Sequence, residues 1–178
     1  MATARSDRSV VSPPDSAFLD AMAALAGGVC VVTALTREGS PVGFTSTAVM
    51  SVSRQPQLLA IGVGSGVRSL PALLDGRRFA LNILHSGGEH VSRRFADRTA
   101  DRFAGLEWSA EEGSGLPMLL AHSSYTVVCS VVRDLRAGDH HLLVAAVDDV
   151  VTGTVVTGTG GPTALVHHDR RYHALGAA

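Results

Sequence analysis

The sequence predicts a closed or partly closed antiparallel β-barrel. Three observations carry that expectation: about seven strand-like runs, helices that are few and short, and no regular strand–helix alternation of the kind a doubly wound α/β fold requires. A barrel of this size fills its interior with side chains, which places any ligand on a rim or between subunits.

The elements follow in order. Residues 1–14 read as a flexible tail and residues 15–178 as a single domain, with Asp15 capping a short helix. Phe18, Leu19, Met22, Ala23 and Leu25 give that helix an apolar stripe that stops at Gly27-Gly28. GVCVVTALT is strand-like, REGSP is a turn, and VGFTSTAVMSVS reads as one long alternating strand. QLLAIGVG is a third, more buried strand. Ser69 then opens the short helix SLPALLDG, where Pro71 sits in the tolerated first turn.

RFALNIL returns to strand, GEHVSRRFAD reads as a helix, and Thr99 to Leu116 is loop-rich. SYTVVCSVVRDL and HLLVAAVDDVVTG form a long hairpin around Arg136-Ala137-Gly138-Asp139, and TALVHHDRRYHAL reads as a last strand.

Composition excludes several classes. The chain has 178 residues, net charge −1, 46% hydrophobic and 17% charged residues, so it is a globular domain, not an extended disordered chain. Near-neutral charge argues against a nucleic-acid partner held through phosphates. No apolar run reaches the ~20 residues of a spanning helix, so no membrane partner is expected, and the first residues lack a signal-peptide core. All 15 basic residues are Arg. Without Lys there is no Walker A loop, no lysine Schiff base and no lysine general base. Cys30 and Cys129 each sit in a β-branched run without a CxxC neighbour. They read as buried, reduced thiols of a cytoplasmic protein.

Four segments carry candidate chemistry. In the strand from Gly43 to Ser53, period 2 puts Thr45, Thr47, Ser51 and Ser53 on one face. Such a row of small hydroxyls suits the edge of a flat heterocycle, and β-propensity alone also accounts for it. Gly62 to Ser69 is a glycine-rich turn whose N–H groups, following helix N-terminus and Arg68 can together hold a phosphate; an ordinary turn before a Ser-capped helix reads equally well. Arg93-Arg94-Phe95 and Arg102-Phe103 can clamp a nucleotide, although Phe in the core with Arg in water is the commoner meaning. The pairs His140-His141 and His167-His168 point to opposite strand faces, so neither chelates one metal, and no metal is expected. His140, beside the Gly138-Asp139 turn, is a candidate proton donor or ligand contact.

Taken together and in order, GVCVVTAL, VGFTSTAVMSVS, SLPALLDGRRFALNIL, SRRFADRTADRFAGLEW, GLPML, AGDHHLLVAAV and RRYHAL resemble the flavin reductase-like family, from about Phe18 to Leu175. The resemblance implies a mostly β split barrel of the FMN-binding type with short helices, working as a homodimer with FMN or FAD near the interface. It implies that Thr45, Ser46 and Thr47, with Ser51 further along, line the flavin ring. It further implies that Arg68 and Ser69 contact the phosphate, that Arg94 and Phe95 help hold the flavin's tail, that His140 lies where nicotinamide approaches, and that Tyr172 lies close to the same pocket. The sequence departs from the family at Gly66, Val67 and Arg68, where Ser or Thr is usual, at Thr47-Ala48-Val49, and at His167 and His168.

The implied activity is hydride transfer from NADH or NADPH to FMN or FAD, with reduced flavin leaving for a partner monooxygenase. The alternative is a flavoprotein that retains its flavin and oxidises or reduces a small organic substrate, or a non-catalytic flavin-binding protein. Haem- or pyridoxine-phosphate-binding split barrels share the fold, but the residues of their chemistry are missing here.

Overall fold

The structure, a computed structural model, describes residues 14–175 apart from 100, 155–156 and 159–160. The expected tail thus lies, except for Pro14, outside the described residues. Seven strands form one antiparallel sheet: β1 (Cys30–Leu35), β2 (Pro41–Ser46), β3 (Val49–Arg54), β4 (Gln57–Gly64), β5 (Arg78–Leu84), β6 (Ser123–Ala137) and β7 (His140–Thr152). Their order across the sheet is β2-β1-β5-β6-β7-β4-β3. A small second sheet pairs β8 (Ala164–His168) with β9 (Arg171–Leu175), and Gly27-Gly28 adds to its edge. Three short α-helices complete the fold: α1 (Asp15–Ala23), α2 (Leu70–Gly76) and α3 (Glu89–Ala96).

Strand order dictates the shape. The two edge strands, β2 and β3, are consecutive in the chain and separated only by Thr47-Ala48. Seven strands laid flat at ~4.8 Å spacing would hold the edges about 29 Å apart. The step from Ser46 to Val49 reaches at most ~11 Å. The sheet therefore bends until its edges meet, leaving a seam between them. Register shifts in the long β6–β7 ladder, between Val144 and Ala145 and between Val147 and Asp149, give those strands the local bends that curvature needs.

That seam corrects the reading of VGFTSTAVMSVS as one strand. Ser46 Oγ accepts the Ala48 N–H at 3.1 Å, and the Ala48 carbonyl accepts from Gly62 N at 2.8 Å, so the chain turns a corner there. Thr45 and Ser51 consequently belong to different strands, and no single hydroxyl face runs from one to the other. The last strand is likewise a hairpin. Asp169 and Arg170, at φ 48° and 60°, form its turn in the left-handed region that Asp enters more readily than most residues.

Helix starts also differ from expectation. Asp15 is the first helical residue, with Pro14 at the cap position, and Ser69 forms no side-chain cap. The α1 stripe does not enter the core: Phe18, Leu19, Met22 and Leu25 are all exposed. Elsewhere the periodicity holds. α3 spans the expected segment, and the two-residue turn Gly138-Asp139, with Gly138 at φ 62°, closes the long hairpin. His140 faces solvent while His141 is buried, as alternation requires.

Two apolar layers flank β1, which is buried on both faces. Cys30, Val32 and Ala34 join Phe44, Ile61, Leu73, Phe79, Leu81, Cys129 and Leu143 in the main core, with α2 packed into it. Val29 and Val31 face the other way, toward Val91 and Phe95 of α3, Leu119 and Leu165. Both cysteines are buried free thiols, and burial pushes each up to about 12. Thr99 to Leu116 is turn-rich, with one short ladder from Ser109-Ala110 to Pro117-Met118.

Asn82 ties these layers together. Its Nδ2 donates to the Val31 carbonyl (3.0 Å) and Thr33 Oγ1 (3.1 Å). Its Oδ1 accepts from Leu119 N (2.8 Å) and Thr126 Oγ1 (2.9 Å). Asn82→Leu strands these buried groups at ~1–3 kcal/mol for each left unsatisfied. A loss of at least about 3 kcal/mol in urea unfolding is expected; an unchanged midpoint would show that the network contributes nothing.

Candidate functional site

The seam gathers three segments that are distant in sequence. β2 is an edge strand, α3 crosses beside it, and the turn from Gly64 to Ser69 arrives from β4 on the far side of the sheet. The close approach depends on Gly43. A Cβ there would stand 2.7 Å from the Val32 carbonyl oxygen and 2.8 Å from Phe95 Cε1, so only glycine lets the Phe95 ring lie on the strand. Phe95 is wholly buried and meets Phe103 edge to face at 5.1 Å. The Gly43 carbonyl accepts from Ser69 Oγ at 3.2 Å and from the Arg102 guanidinium. The seam is thus held by side chains where a strand pair would otherwise run.

A cavity of about 410 Å³ opens beside these contacts, lined by Phe44, Thr45, Val67, Phe95 and three arginines, Arg68, Arg98 and Arg102. Each element contributes for a local reason. Thr45 is anchored by its hydroxyl, which donates to the Ser92 carbonyl at 2.6 Å, leaving its oxygen lone pairs to accept. The Arg68 guanidinium reaches across to the Arg98 carbonyl. Arg102 is also held by the Asp97 carbonyl through Nε (3.1 Å) and Nη2 (2.8 Å). Burial, and then the Arg68 charge, lower its affinity for a proton below the usual arginine value. Three guanidinium groups with hydroxyl and aromatic neighbours suit an anionic, partly aromatic ligand.

The glycine-rich turn contributes less backbone than its sequence suggests. Ser65 N donates to the Asp139 carbonyl (2.8 Å), Val67 N to Gly64 (2.9 Å) and Leu70 N to Val67 (3.0 Å). Ser69, buried, spends its hydroxyl on Gly43. Of the turn's side chains, Arg68 is the one that lines the cavity with a positive charge.

The Ser65–Asp139 bond also docks the β6–β7 hairpin tip beside the cavity's glycine-rich rim. His140 is half-exposed there, and its Nδ1 lies 2.7 Å from Asp139 Oδ1. That hydrogen bond, then the charge on the imidazole, hold the Asp139 carboxyl below its ordinary range. With Nδ1 donating to the carboxylate, Nε2 is the ring atom left for a ligand, and it lies 3.6 Å from where a Gly64 Cβ would stand. One strand position on, His141 Nδ1 meets Asp134 Oδ1 at 2.8 Å and fixes the base of the tip.

The remaining sequence-based candidates are dispersed around this centre. Ser46 is buried and serves the corner, and Thr47 is exposed at the corner itself. Ser51 lies beyond it, in a largely apolar groove of about 550 Å³ lined by β3, β4, β5, β6 and β7. Arg94 turns away to donate to the Ala104 carbonyl at 2.7 Å. Tyr172 on β9 meets Ser92 Oγ at 2.9 Å, under the Arg93 guanidinium 4.8 Å from its ring centre. It therefore connects to Thr45 through Ser92, without lining the cavity. Sequence reasoning missed Arg98 as a cavity residue and Ser92 as a link. Arg102 carried a signal, the second Arg-Phe pair; Phe103 of that pair packs on Phe95, and Arg102 lines the larger cavity.

Comparison with known proteins gives the family. Residues 22–176 match the family model described as a flavin reductase like domain. The chain is 42% identical over 130 residues to a flavin reductase (NADH) of Kitasatospora aureofaciens, covering 73% of this chain and 68% of that protein. It is 37% identical over 146 residues to an NADH:riboflavin 5'-phosphate oxidoreductase of Streptomyces pristinaespiralis, covering 82% and 81%. Among solved structures, the styrene monooxygenase flavin reductase of Pseudomonas putida S12 superimposes with a TM-score of 0.78 at 28% identity, covering 90% of this chain and 98% of that one. With a family match running from the end of α1 through β9, over the strands, helices and turn that build the cavity, the chain belongs to the flavin reductase-like family.

Proposed function

We propose that this protein is an NAD(P)H:flavin oxidoreductase that reduces FMN or FAD for a partner monooxygenase. The observation that carries the reading is the cavity at the seam, where Arg68, Arg98 and Arg102 meet Thr45 beside the His140 turn. Its donor set fits a flavin phosphate: three guanidinium groups for the charge, and an acceptor hydroxyl at Thr45 for a donor on the ligand. A flavin held there would supply the redox chemistry, that of a hydride acceptor from NADH or NADPH. The chain's residues bind and orient. Arg68 and Arg102 fix the phosphate end, with Ser69 acting indirectly by holding Gly43. Thr45 and the corner at Ser46 and Thr47 position the ring end, and Phe95 closes the cavity wall. His140 presents Nε2 on the nicotinamide side, with Asp139 setting its tautomer. Tyr172 supports Thr45 through Ser92.

The protein is a homodimer in this reading, with the second copy covering the apolar groove. Met50 and Val150, both about half-exposed, supply the surface, and Ser51 lines the same groove, so the flavin ring end lies near the partner. A cytoplasmic location fits the two buried free thiols. No helix among the described residues is long and apolar enough to cross a membrane. Light scattering at micromolar concentration is expected to give twice the chain mass; a fully active monomer would overturn the dimer.

NADH or NADPH oxidation that depends on added FMN or FAD tests the central reading. Oxidation without added flavin by a tightly bound chromophore would support a retained-flavin enzyme instead.

Arg68→Ala is expected to weaken FMN binding by the ~1.5–3 kcal/mol of a charged hydrogen bond, about tenfold to over a hundredfold, with riboflavin scarcely affected. Equal losses for both ligands would move the phosphate away from Arg68, and Arg98 is then the first alternative.

His140→Ala is expected to slow reduction of bound flavin in stopped flow while the flavin dissociation constant stays within about twofold. A collapse of flavin binding with a normal rate for the remaining complex would assign His140 to the flavin or the fold.

A further inference from the structure

A second, smaller cavity of about 230 Å³ adjoins the first, lined by Pro41, Val42, Gly43, Asp101 and Phe103 together with Arg68, Arg102 and Ser69. Arg68 and Arg102 line both cavities, so the two spaces share an arginine wall. β2 sets their order. Thr45 lines the larger cavity, while Gly43, Val42 and Pro41 line the smaller. At ~3.4 Å per residue a ligand lying along this strand passes from one to the other within about 7–14 Å. A ligand with its ring near Thr45 and a phosphate on the arginines would therefore have room beyond the phosphate.

The chemistry of that space is unlike the wall that separates it. Phe103 offers an aromatic ring, and Pro41 and Val42 offer apolar surface, which suits a flat base. Asp101 is an acceptor. Its Oδ1 takes the Phe103 and Ala104 N–H groups, each at 3.3 Å, and the rest of the carboxylate can accept from an amino group or a sugar hydroxyl. The same charge repels a further phosphate. A neutral group that carries donors fits, attached to a phosphate held by the arginines. An adenosine has those properties.

We propose that the smaller cavity is an adenosine subsite, so that the protein binds FAD more tightly than FMN. The proposal rests on the flavin reading and adds to it the choice of flavin. NADH also carries an adenosine diphosphate. The order of the two cavities along β2 and the arginines that line both assign the subsite to the flavin dinucleotide.

Titrations of the full-length protein with FMN and with FAD, followed by flavin fluorescence, test this directly. Both flavins carry about two negative charges on their phosphates, so the arginines alone discriminate little between them. FAD is expected to bind at least tenfold tighter. Pro41→Trp, which fills the smaller cavity, should bring FAD to within about threefold of FMN while leaving FMN unchanged. Asp101→Asn keeps the acceptor for the two backbone N–H groups and guards against misfolding of the first variant; it should weaken FAD several-fold and spare FMN. Equal affinities in the unmodified protein, or equal losses for both flavins in the variants, would overturn the proposal and leave the flavin reading standing. A Pro41→Trp variant with normal FMN and FAD binding but a raised KM for NADH would give the subsite to the nicotinamide dinucleotide, which also overturns it. Binding of neither flavin would defeat both readings.

Discussion

Two consecutive strands at opposite edges of a seven-stranded sheet, joined by Thr47 and Ala48 alone, are the constraint on which the rest depends. The sheet has no freedom to stay open, because the corner cannot span its width. Once it bends, β4 and its following turn come round to face β2, and residues near 43, 68 and 95 become neighbours. The corner itself is fixed by two hydrogen bonds, one local through Ser46 and one from Gly62 N that extends the β3–β4 ladder to Ala48. Cavity and fold are thus consequences of a single closure.

Closure by side chains, in place of a strand ladder, explains why the site lies where it does. Strand pairing would have buried the edge of β2. Instead Ser69 and Arg102 converge on one carbonyl, that of Gly43, and Phe95 covers the glycine. The arginines are held by backbone carbonyls, Arg68 by Arg98 and Arg102 by Gly43 and Asp97, so their charge is positioned before any ligand arrives. Less side-chain freedom then remains to be lost on binding. The like charges of Arg68 and Arg102 in a partly buried place are a cost that an anionic ligand relieves.

The hairpin tip follows the same logic at longer range. β6 and β7 are the longest strands, and their paired ends carry the Gly138-Asp139 turn out to the glycine-rich turn after β4. Buried His141 holds the base of the tip through Asp134, the exposed His140–Asp139 pair orients its end, and a backbone bond from Ser65 docks it. Two adjacent histidines do different work because a strand sends them to opposite faces.

Strand content, the buried cysteines, the opposed faces of His140 and His141, and the helix at α3 were all determined by the sequence alone, since each depends on period or on apolar composition within a few residues. The succession of family segments was legible too, and of the residues that the resemblance implied, Thr45, Arg68 and Phe95 line the cavity. Tertiary structure decided what local pattern does not encode. The alternation through FTSTAVMSVS continues unbroken across Ala48, and the corner appears only in the fold, where Ser46 Oγ accepts the Ala48 N–H and Gly62 N, fourteen positions on, donates to the Ala48 carbonyl. The Asp169-Arg170 turn carries no glycine to announce it, and its left-handed geometry is held within the paired β8–β9 ladder. Arg98, Arg102 and Arg94 look alike in sequence. The first two line the cavity and the third turns away to Ala104, because a guanidinium follows whichever carbonyl the folded backbone places within its reach.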